Sequence, residues 1–134
     1  MSAPEHNFAE EVLISGEELR GYSAASAFTA REPVGVSGEL EVDSSAAGNS
    51  DFIGVALYDV SSGEEVAVGG DDCEVRIEVS ESVSPGDELV PDGAGAFETV
   101  ATSSASTGVA IAQTNGSAGG LCEAYIFAVG GTKA

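Results

Sequence analysis

Apolar and polar residues alternate along most of the chain after Pro33. In residues 73–79 every odd-numbered position is apolar, whereas Glu74, Arg76 and Glu78 occupy the even-numbered positions. A repeat of two residues is typical of a β-strand with one buried face, so this segment predicts a strand. The same pattern predicts further strands at residues 34–43, 52–60, 64–68, 88–90, 96–101, 108–114 and 121–129. In the first of these strands the predicted buried face holds Val34, Val36, Leu40 and Val42.

Turn residues separate the predicted strands. Pro85-Gly86 and Pro91-Asp92-Gly93 provide the Pro and Gly residues that tight turns favour, and Gly69-Gly70 interrupts the alternation between two strands. Strands and turns recur roughly every 8–12 residues, a spacing typical of all-β folds. The sequence therefore predicts a small antiparallel β-barrel or sandwich of about seven to nine strands.

The first part of the chain shows no such alternation. Residues 1–18 combine Pro, His and Asn with five Glu around a short apolar group, Val12-Leu13-Ile14. Residues 19–31 are interpreted as a weakly extended segment. We therefore predict an extended N-terminal arm with this segment over residues 1–31 and a β-barrel domain over residues 32–134. The barrel is expected to fold without residues 1–18.

Two predicted strands, 52–60 and 121–129, are apolar on both faces. In the second of them Leu121, Tyr125 and Phe127 share one face, and smaller apolar residues share the other. A small barrel has one interior, so the second apolar face of each strand needs a partner or a covering segment. Small side chains would allow another backbone to approach closely. The predicted interface residues are Val12, Leu13, Ile14, Gly54, Ala56, Tyr58, Ala124, Ile126 and Ala128.

The charge balance excludes several classes of partner. The 134 residues include 23 Asp and Glu against 4 Lys and Arg, so the formal charge is −19. This charge repels nucleic-acid phosphates and anionic lipids, and no apolar run approaches the ~20 residues of a membrane span. We therefore expect neither a nucleic acid nor a membrane as partner. Because 43% of the residues are hydrophobic, the chain is not a disordered acidic tail.

The same charge indicates the solvent. Self-repulsion destabilises a compact body with so many like charges, whereas at about 1 M salt the Debye length falls to about 3 Å. Lys133 is the single lysine, so lysine depletion accompanies the acid excess. We predict adaptation to molar salt, as in halophilic archaea and their viruses. An ordinary acidic domain is the alternative.

Residues suited to catalysis or metal binding are sparse. The acidic pairs Asp71-Asp72 and Asp87-Glu88 lack the alternating oxygen ligands of a calcium loop and are interpreted as solvated loops. Cys73 and Cys122 fall within apolar strand patterns, which predicts buried, inert thiols, with a disulfide as the alternative. Asn115-Gly116-Ser117 matches the N-glycosylation pattern and is equally a good turn. We expect no enzymatic activity, no cofactor and no bound metal.

Several segments resemble one known family. Gly54-Val55-Ala56, followed by the Gly-Glu-x-Val-x-Val pattern of residues 63–68, is similar to a pattern of that family. The family comprises small head (capsid) decoration-like proteins of tailed viruses of bacteria and archaea. Membership implies a β-barrel body, trimers on the capsid exterior and no enzymatic activity. The similar segments, within residues 34–129, are 52–59, 63–68, 73–79, 83–90, 95–97 and 107–112.

Together, the resemblance and the charge predict a function. We expect a structural virion protein of a haloarchaeal tailed virus, a capsid decoration (cement) protein that binds the outside of the major capsid protein shell. Its partners would be the major capsid protein and further copies of itself in a homotrimer. Two alternatives stay open: a tail, baseplate or fibre-base subunit, marked by ring-forming contacts, and a small host β-sandwich binding module, marked by an aromatic-lined pocket.

Overall fold

The computed structural model describes residues 12–16, 19–45, 52–103 and 107–128. Its regular structure is almost entirely β, which confirms the predicted fold class. These residues form eleven strands, more than the predicted seven to nine, and one short helix. The elements are β1 (Leu13–Ser15), β2 (Leu19–Ala24), β3 (Pro33–Gly38), β4 (Glu41–Ser44), β5 (Phe52–Ala56), β6 (Glu65–Gly69), β7 (Glu74–Glu78), β8 (Glu88–Pro91), β9 (Phe97–Thr99), α1 (Val100–Ser103), β10 (Ala110–Ala112) and β11 (Leu121–Ile126).

The strands form two sheets, one of them a closed barrel, where a small barrel or sandwich was predicted. Five of them close a barrel in the order β2-β4-β3-β5-β6, and the other six form a sheet in the order β1-β7-β11-β10-β8-β9. Neighbouring strands pair antiparallel, except that β2 and β4 are parallel. An isolated bridge joins Val79, next to β7, to Phe97 of β9 at the other end of the sheet. The six-stranded sheet therefore curls around its own interior.

Each sheet encloses a hydrophobic core, and β5 lies between the two cores. Phe52 and Val55 belong to the larger core beneath the six-stranded sheet, whereas Ala56 belongs to the smaller core inside the barrel. The Phe52 ring meets the Phe97 ring edge to face, with centroids 5.8 Å apart, and this contact joins the barrel to the sheet. Both apolar faces of β5 are thus covered by the chain itself, so this strand needs no second subunit to bury them.

The boundary predicted between an arm and the barrel at residue 32 is corrected. Strand β2 pairs with β6 from Leu19↔Gly69 to Ser23↔Glu65, so it is an integral barrel strand. Val12 is buried in the larger core, and β1 forms the edge of the six-stranded sheet beside β7. Deleting residues 1–18 would therefore remove a core side chain and an edge strand. The predicted arm over residues 1–11 lies outside the described residues.

Residues 34–43 form a hairpin and not one strand. Strands β3 and β4 pair antiparallel, with Val36 opposite Val42 and Gly38 opposite Glu41, so the chain reverses at Glu39-Leu40. Leu40 has a φ of 50°, a turn conformation that is uncommon for a side chain of this kind. The alternation of apolar residues continues through the reversal, which hides the turn in the sequence. Val34 and Val42 are buried as predicted, but Val36 and Leu40 are exposed.

Residues 96–101 were predicted to be a strand, but β9 ends at Thr99 and is followed by α1. The reason is a helix cap. The Thr99 hydroxyl oxygen accepts a hydrogen bond from the Thr102 backbone N–H at 3.3 Å, which satisfies a donor that the first helical turn leaves without an intrahelical partner. Thr99 also donates to the Glu81 carboxylate at 3.0 Å, which fixes this corner to the loop after β7.

We expect Gly54→Ala to destabilise the fold by about 3 kcal/mol or more. Gly54 has a φ of 155°, and a Cβ there would collide with the Gly69 carbonyl oxygen and lie 2.7 Å from Val68 Cγ1. Sequence analysis predicted that Gly54 lets a neighbouring subunit approach closely. The backbone that approaches it is β6 of the same chain, and this close approach is what the substitution tests.

Gly63→Ala is the matched control for this prediction. Gly63 also has a positive φ, of 87°, but a Cβ there would meet nothing within 4 Å. Its cost is therefore conformational strain alone, about 1 kcal/mol. Denaturant unfolding of both variants in molar salt measures the difference, and equal losses of stability would show that the contact with β6 is unimportant.

Candidate interaction surface

The nine predicted interface residues occupy three kinds of environment. Leu13 and Ala128 are half-buried, and Ile14 and Tyr58 are exposed. The other five lie inside the chain and are not surface residues, which corrects their assignment to an intermolecular contact. These buried residues are Val12, Gly54, Ala56, Ala124 and Ile126.

The outer face of strand β11 has exposed apolar side chains toward its two ends, with Glu123 between them. Its inner face, with Cys122, Ala124 and Ile126, packs into the larger core. On its outer face Leu121 is 39% exposed, and Phe127, just beyond the strand, is also 39% exposed. The argument that a doubly apolar strand needs a partner therefore holds for β11, but the available face is opposite to the one assigned from sequence. We call Leu121, Tyr125 and Phe127 the β11 face.

Acidic side chains surround the β11 face. Glu78 lies opposite Leu121 across the β7–β11 pair, and Glu74 lies opposite Tyr125. The Tyr125 hydroxyl donates a hydrogen bond to Asp72, and this bond raises the pKa of Tyr125. Apolar side chains among carboxylates form a surface whose self-association depends on salt, because the carboxylates repel one another unless they are screened.

One ion pair crosses this part of the sheet. The Arg76 guanidinium lies 3.2 Å from the Glu123 carboxylate, and these two residues are paired across β7 and β11. Both side chains are partly exposed, so the pair contributes little to stability by itself. Because Arg76 already pairs with a carboxylate of its own chain, it is less available to an acidic group of a partner.

A second exposed apolar group lies at the turn of the β3–β4 hairpin. Val36 is 55% exposed and Leu40 is 52% exposed. Leu40 also lines a shallow groove of about 230 Å³ beside Tyr22 and Glu65. This groove has one aromatic side chain, whereas the host binding module considered from sequence required an aromatic-lined pocket.

Several acidic side chains accept hydrogen bonds from backbone N–H groups of the same chain. The Asp87 carboxylate accepts the Ser84 backbone N–H at 2.9 Å and closes the Pro85-Gly86 turn. Glu81 accepts the Thr99 backbone N–H at 2.8 Å, and this hydrogen bond lowers the pKa of Glu81. Desolvation raises the pKa of Glu98, and the nearby Asp92 carboxylate adds to this effect.

Metal-binding and membrane-spanning features are not found in the part of the chain that the structure describes. Its His, Cys, Asp and Glu residues form no group of three or more that could hold a metal ion. Its helical structure offers no segment with the length and apolar character that a bilayer crossing requires. Asn115 is exposed beside Gly116, whose N–H and carbonyl pair with Val83 in a β-bridge, and a turn closed by the Gly120 N–H and the Ser117 carbonyl follows.

We expect the Cys122 thiol to be almost unreactive in the folded protein. Cys73 and Cys122 are both buried and form no disulfide. Burial raises the pKa of Cys122 to about 11, with a further contribution from the Glu123 carboxylate. At about pH 8 about one thiol in a thousand is then the reactive thiolate. An aromatic disulfide reagent should label Cys122 in a Cys73→Ala variant at least about 100-fold more slowly than in the same variant unfolded in guanidinium. Equal rates would contradict the prediction.

No protein-family model matches the sequence, and no curated protein matches it. The fold, in contrast, matches a solved structure, the N base of the head fibre protein gp8.5 of bacteriophage phi29. The match has a TM-score of 0.64 and covers 81% of this chain and 92% of that chain. This chain shares its fold with a bacteriophage head-fibre base. The two sequences are 20% identical, so the likeness concerns the fold.

Sequence reasoning missed the exposed residues Val36, Leu40, Leu121 and Phe127 as interface candidates. For Leu121 and Phe127 a signal was present, because they share a face with Tyr125 by alternation. Glu123 lies on this same face, and its charge indicates that the face is turned outward, a signal that the assignment from sequence overlooked. For Val36 and Leu40 the signal was weak: Gly38 precedes the turn, but the two residues at the reversal, Glu39 and Leu40, are neither Gly nor Asn.

Proposed function

We propose that the protein is a structural component of a tailed-virus virion, a capsid decoration protein that binds the outside of the major capsid protein shell. The observation that carries this proposal is the likeness of its fold to the base of a phage head fibre, over most of both chains. The resemblance of residues 34–129 to head decoration-like proteins supports the same role independently of the structure. A structural subunit also agrees with a surface whose most distinctive feature is an exposed apolar face and not a catalytic group.

In this proposal the protein works as a homotrimer. The β11 face supplies a contact, because Leu121 and Phe127 are apolar and exposed, at the start and just beyond the end of a strand near the centre of the six-stranded sheet. Three copies bound at one position on a shell act together, so weak contacts with the major capsid protein add up to firm attachment. The attachment stabilises the shell across the boundaries between its subunits.

High salt is part of the proposed setting. A charge of −19 on each copy would oppose trimer formation at low ionic strength. At about 1 M salt the screening length is about 3 Å, so repulsion between exposed carboxylates of neighbouring copies is largely screened. We therefore assign the protein to a virus of a halophilic host, where the acidic exterior keeps the particle soluble.

A second candidate function is the base of a head fibre. It is favoured by the same structural match, since the matching protein is itself the base of such a fibre. A fibre base and a decoration protein both sit on the head, but a base has a filament attached to it. The two candidates therefore differ in what continues outward from the bound protein.

Binding to purified shells tests the proposal. Capsids stripped of outer proteins are mixed with the protein in about 3 M KCl, a salt concentration at which charges are fully screened, and bound copies are counted after sedimentation. Saturable binding in multiples of three, with electron-microscopy density on the outer surface, is the expected result. In intact virions, density that continues from the bound protein into a filament would favour the fibre base. Absence of binding at all concentrations would reject both functions.

A further inference from the structure

The turn between residues 29 and 32 holds an arginine in a strained conformation. The Glu32 backbone N–H donates to the Thr29 carbonyl at 3.2 Å, so these four residues form a β-turn with Arg31 at its third position. Arg31 has a φ of 77°, which glycine or asparagine adopts readily and other residues rarely do. The Arg31 N–H donates to the Ala56 carbonyl at 2.8 Å, which fixes the turn against the end of β5.

The Arg31 side chain adds a second unfavourable feature. Its Nε atom is buried and has no hydrogen-bond partner. Among the described residues no carboxylate forms an ion pair with Arg31, in contrast to Arg76, which pairs with Glu123. A buried donor without a partner opposes folding, as does the strained backbone. Two such features at one residue indicate that Arg31 serves something other than the stability of the single chain.

Arg31 lines a groove at the end of β5. The groove has a volume of about 390 Å³, and Ala30, Leu57, Tyr58 and Asp59 complete its lining. The Tyr58 hydroxyl oxygen accepts the Ala67 backbone N–H at 3.1 Å, which leaves its own proton available for donation. The Asp59 carboxylate accepts the Ala30 N–H at 2.8 Å and makes no ion pair with Arg31. The groove thus combines a guanidinium with a phenol donor, a pair suited to a carboxylate.

We propose that the Arg31–Tyr58 groove binds a carboxylate of a second copy of this chain. The inference rests on the proposed self-association and adds to it the contact that orients the copies. A cyclic trimer joins two different surfaces of each copy, so a groove that holds Arg31 on one copy and an acidic surface on the next are compatible with it. A partial enclosure in the groove protects the ion pair from the screening that molar salt imposes on exposed pairs.

Charge supplies the argument for a second copy as the occupant. Each chain carries 23 carboxylates and 4 basic side chains, so its surface is a rich source of acidic groups. The structure describes the side chains of two basic residues, Arg31 and Arg76. Arg76 forms an ion pair with Glu123, whereas Arg31 forms no ion pair with a described carboxylate, so Arg31 is available to a carboxylate of another copy. The charge of −19 repels dissolved polyanions such as polyphosphates. A single carboxylate on a second copy is repelled less, because salt screens the other charges of that copy.

The variants Arg31→Gly and Arg31→Lys test the inference in about 3 M KCl, where the acidic surfaces are screened. Arg31→Gly removes the strain and the buried donor, so its melting temperature, measured on the dilute monomer, should rise by a few degrees. Its trimer dissociation constant, measured by sedimentation, should rise at least about 10-fold, since the carboxylate loses its partner. Arg31→Lys keeps the charge but loses the planar fork, so its constant should fall between those of the parent and Arg31→Gly.

Leu40→Gly is the matched control. Leu40 also has a positive φ, of 50°, and glycine there relieves strain without removing a charge. It should leave the dissociation constant within about 2-fold of the parent while the hairpin stays folded, a small effect for a surface site.

An Arg31→Gly protein that is more stable and still trimerises like the parent would overturn the inference and leave the proposed function standing. The inference is also overturned if trimerisation is unchanged while shell binding falls, because the carboxylate then belongs to the capsid protein. Absence of trimers in the parent overturns both the homotrimer and this contact.

Discussion

Transfer of the protein from about 3 M to about 0.1 M KCl will lower its melting temperature by about 10 °C or more. The Debye length increases to about 10 Å in the dilute buffer, so carboxylates that were screened from one another begin to interact. At the β11 face, Asp72 and Glu74 both lie beside Tyr125. Because the net charge is −19, almost every added long-range interaction is repulsive. Differential scanning calorimetry at several salt concentrations measures the effect.

A charge-reduced variant separates screening from other effects of salt. Glu39, Asp71 and Glu78 are exposed, and replacing them with Gln, Asn and Gln reduces the net negative charge by three. If repulsion is the cause, this variant should lose fewer degrees than the parent over the same change of salt. A parent protein whose melting temperature is the same in dilute and in molar salt would remove the argument for a halophilic setting.

Replacing both Leu121 and Phe127 with Glu should abolish trimer formation without unfolding the chain. Both side chains are already 39% exposed, so carboxylates at these positions reach water in the monomer. In a trimer that buries the β11 face, the same carboxylates would be desolvated beside Glu74 and Glu78. We expect the dissociation constant to rise at least about 100-fold, which corresponds to about 2.7 kcal/mol.

Val36→Glu combined with Leu40→Glu is the control for the β11 face. These residues are more exposed than Leu121 and Phe127, but they lie at the hairpin turn of the barrel and not on the six-stranded sheet. Sedimentation in molar salt should show trimers of this variant and monomers of the β11 variant. If the hairpin variant is monomeric and the β11 variant is trimeric, the contact lies at the hairpin. If both variants are trimeric, neither apolar group holds the trimer together.

Local alternation was sufficient to predict β7. Residues 73–79 were predicted to be a strand, and β7 spans Glu74–Glu78 with Val75 and Ile77 fully buried. The prediction succeeds because the side chains of a strand point to opposite faces in turn, so one buried face leaves a repeat of two in the sequence. The same rule fails at residues 34–43, where the turn at Glu39-Leu40 preserves the repeat and reverses the chain.

Alternation on β11 identified which residues share a face, but not which face is buried. Leu121, Tyr125 and Phe127 were grouped correctly, yet the interface was assigned to the side that holds Ala124 and Ile126. The two sides differ in charge, because Glu123 lies on the side of Leu121 and Tyr125, whereas the side that packs into the larger core has only Cys122, Ala124 and Ile126. The sequence therefore located the candidate site on this strand, and through Glu123 it also contained the signal for its orientation.

The sequence by itself determined the all-β class, most strand positions and the acidic surface, because each of these depends on composition or on neighbours along the chain. The tertiary structure alone decided that β5 is covered by two cores of its own chain and that Gly54 faces β6. It also decided that Arg31 lines a groove with Tyr58, although the two residues belong to different segments. These features arise from packing between elements far apart in sequence, and a repeat of two residues contains no information about which element will lie across from a given face.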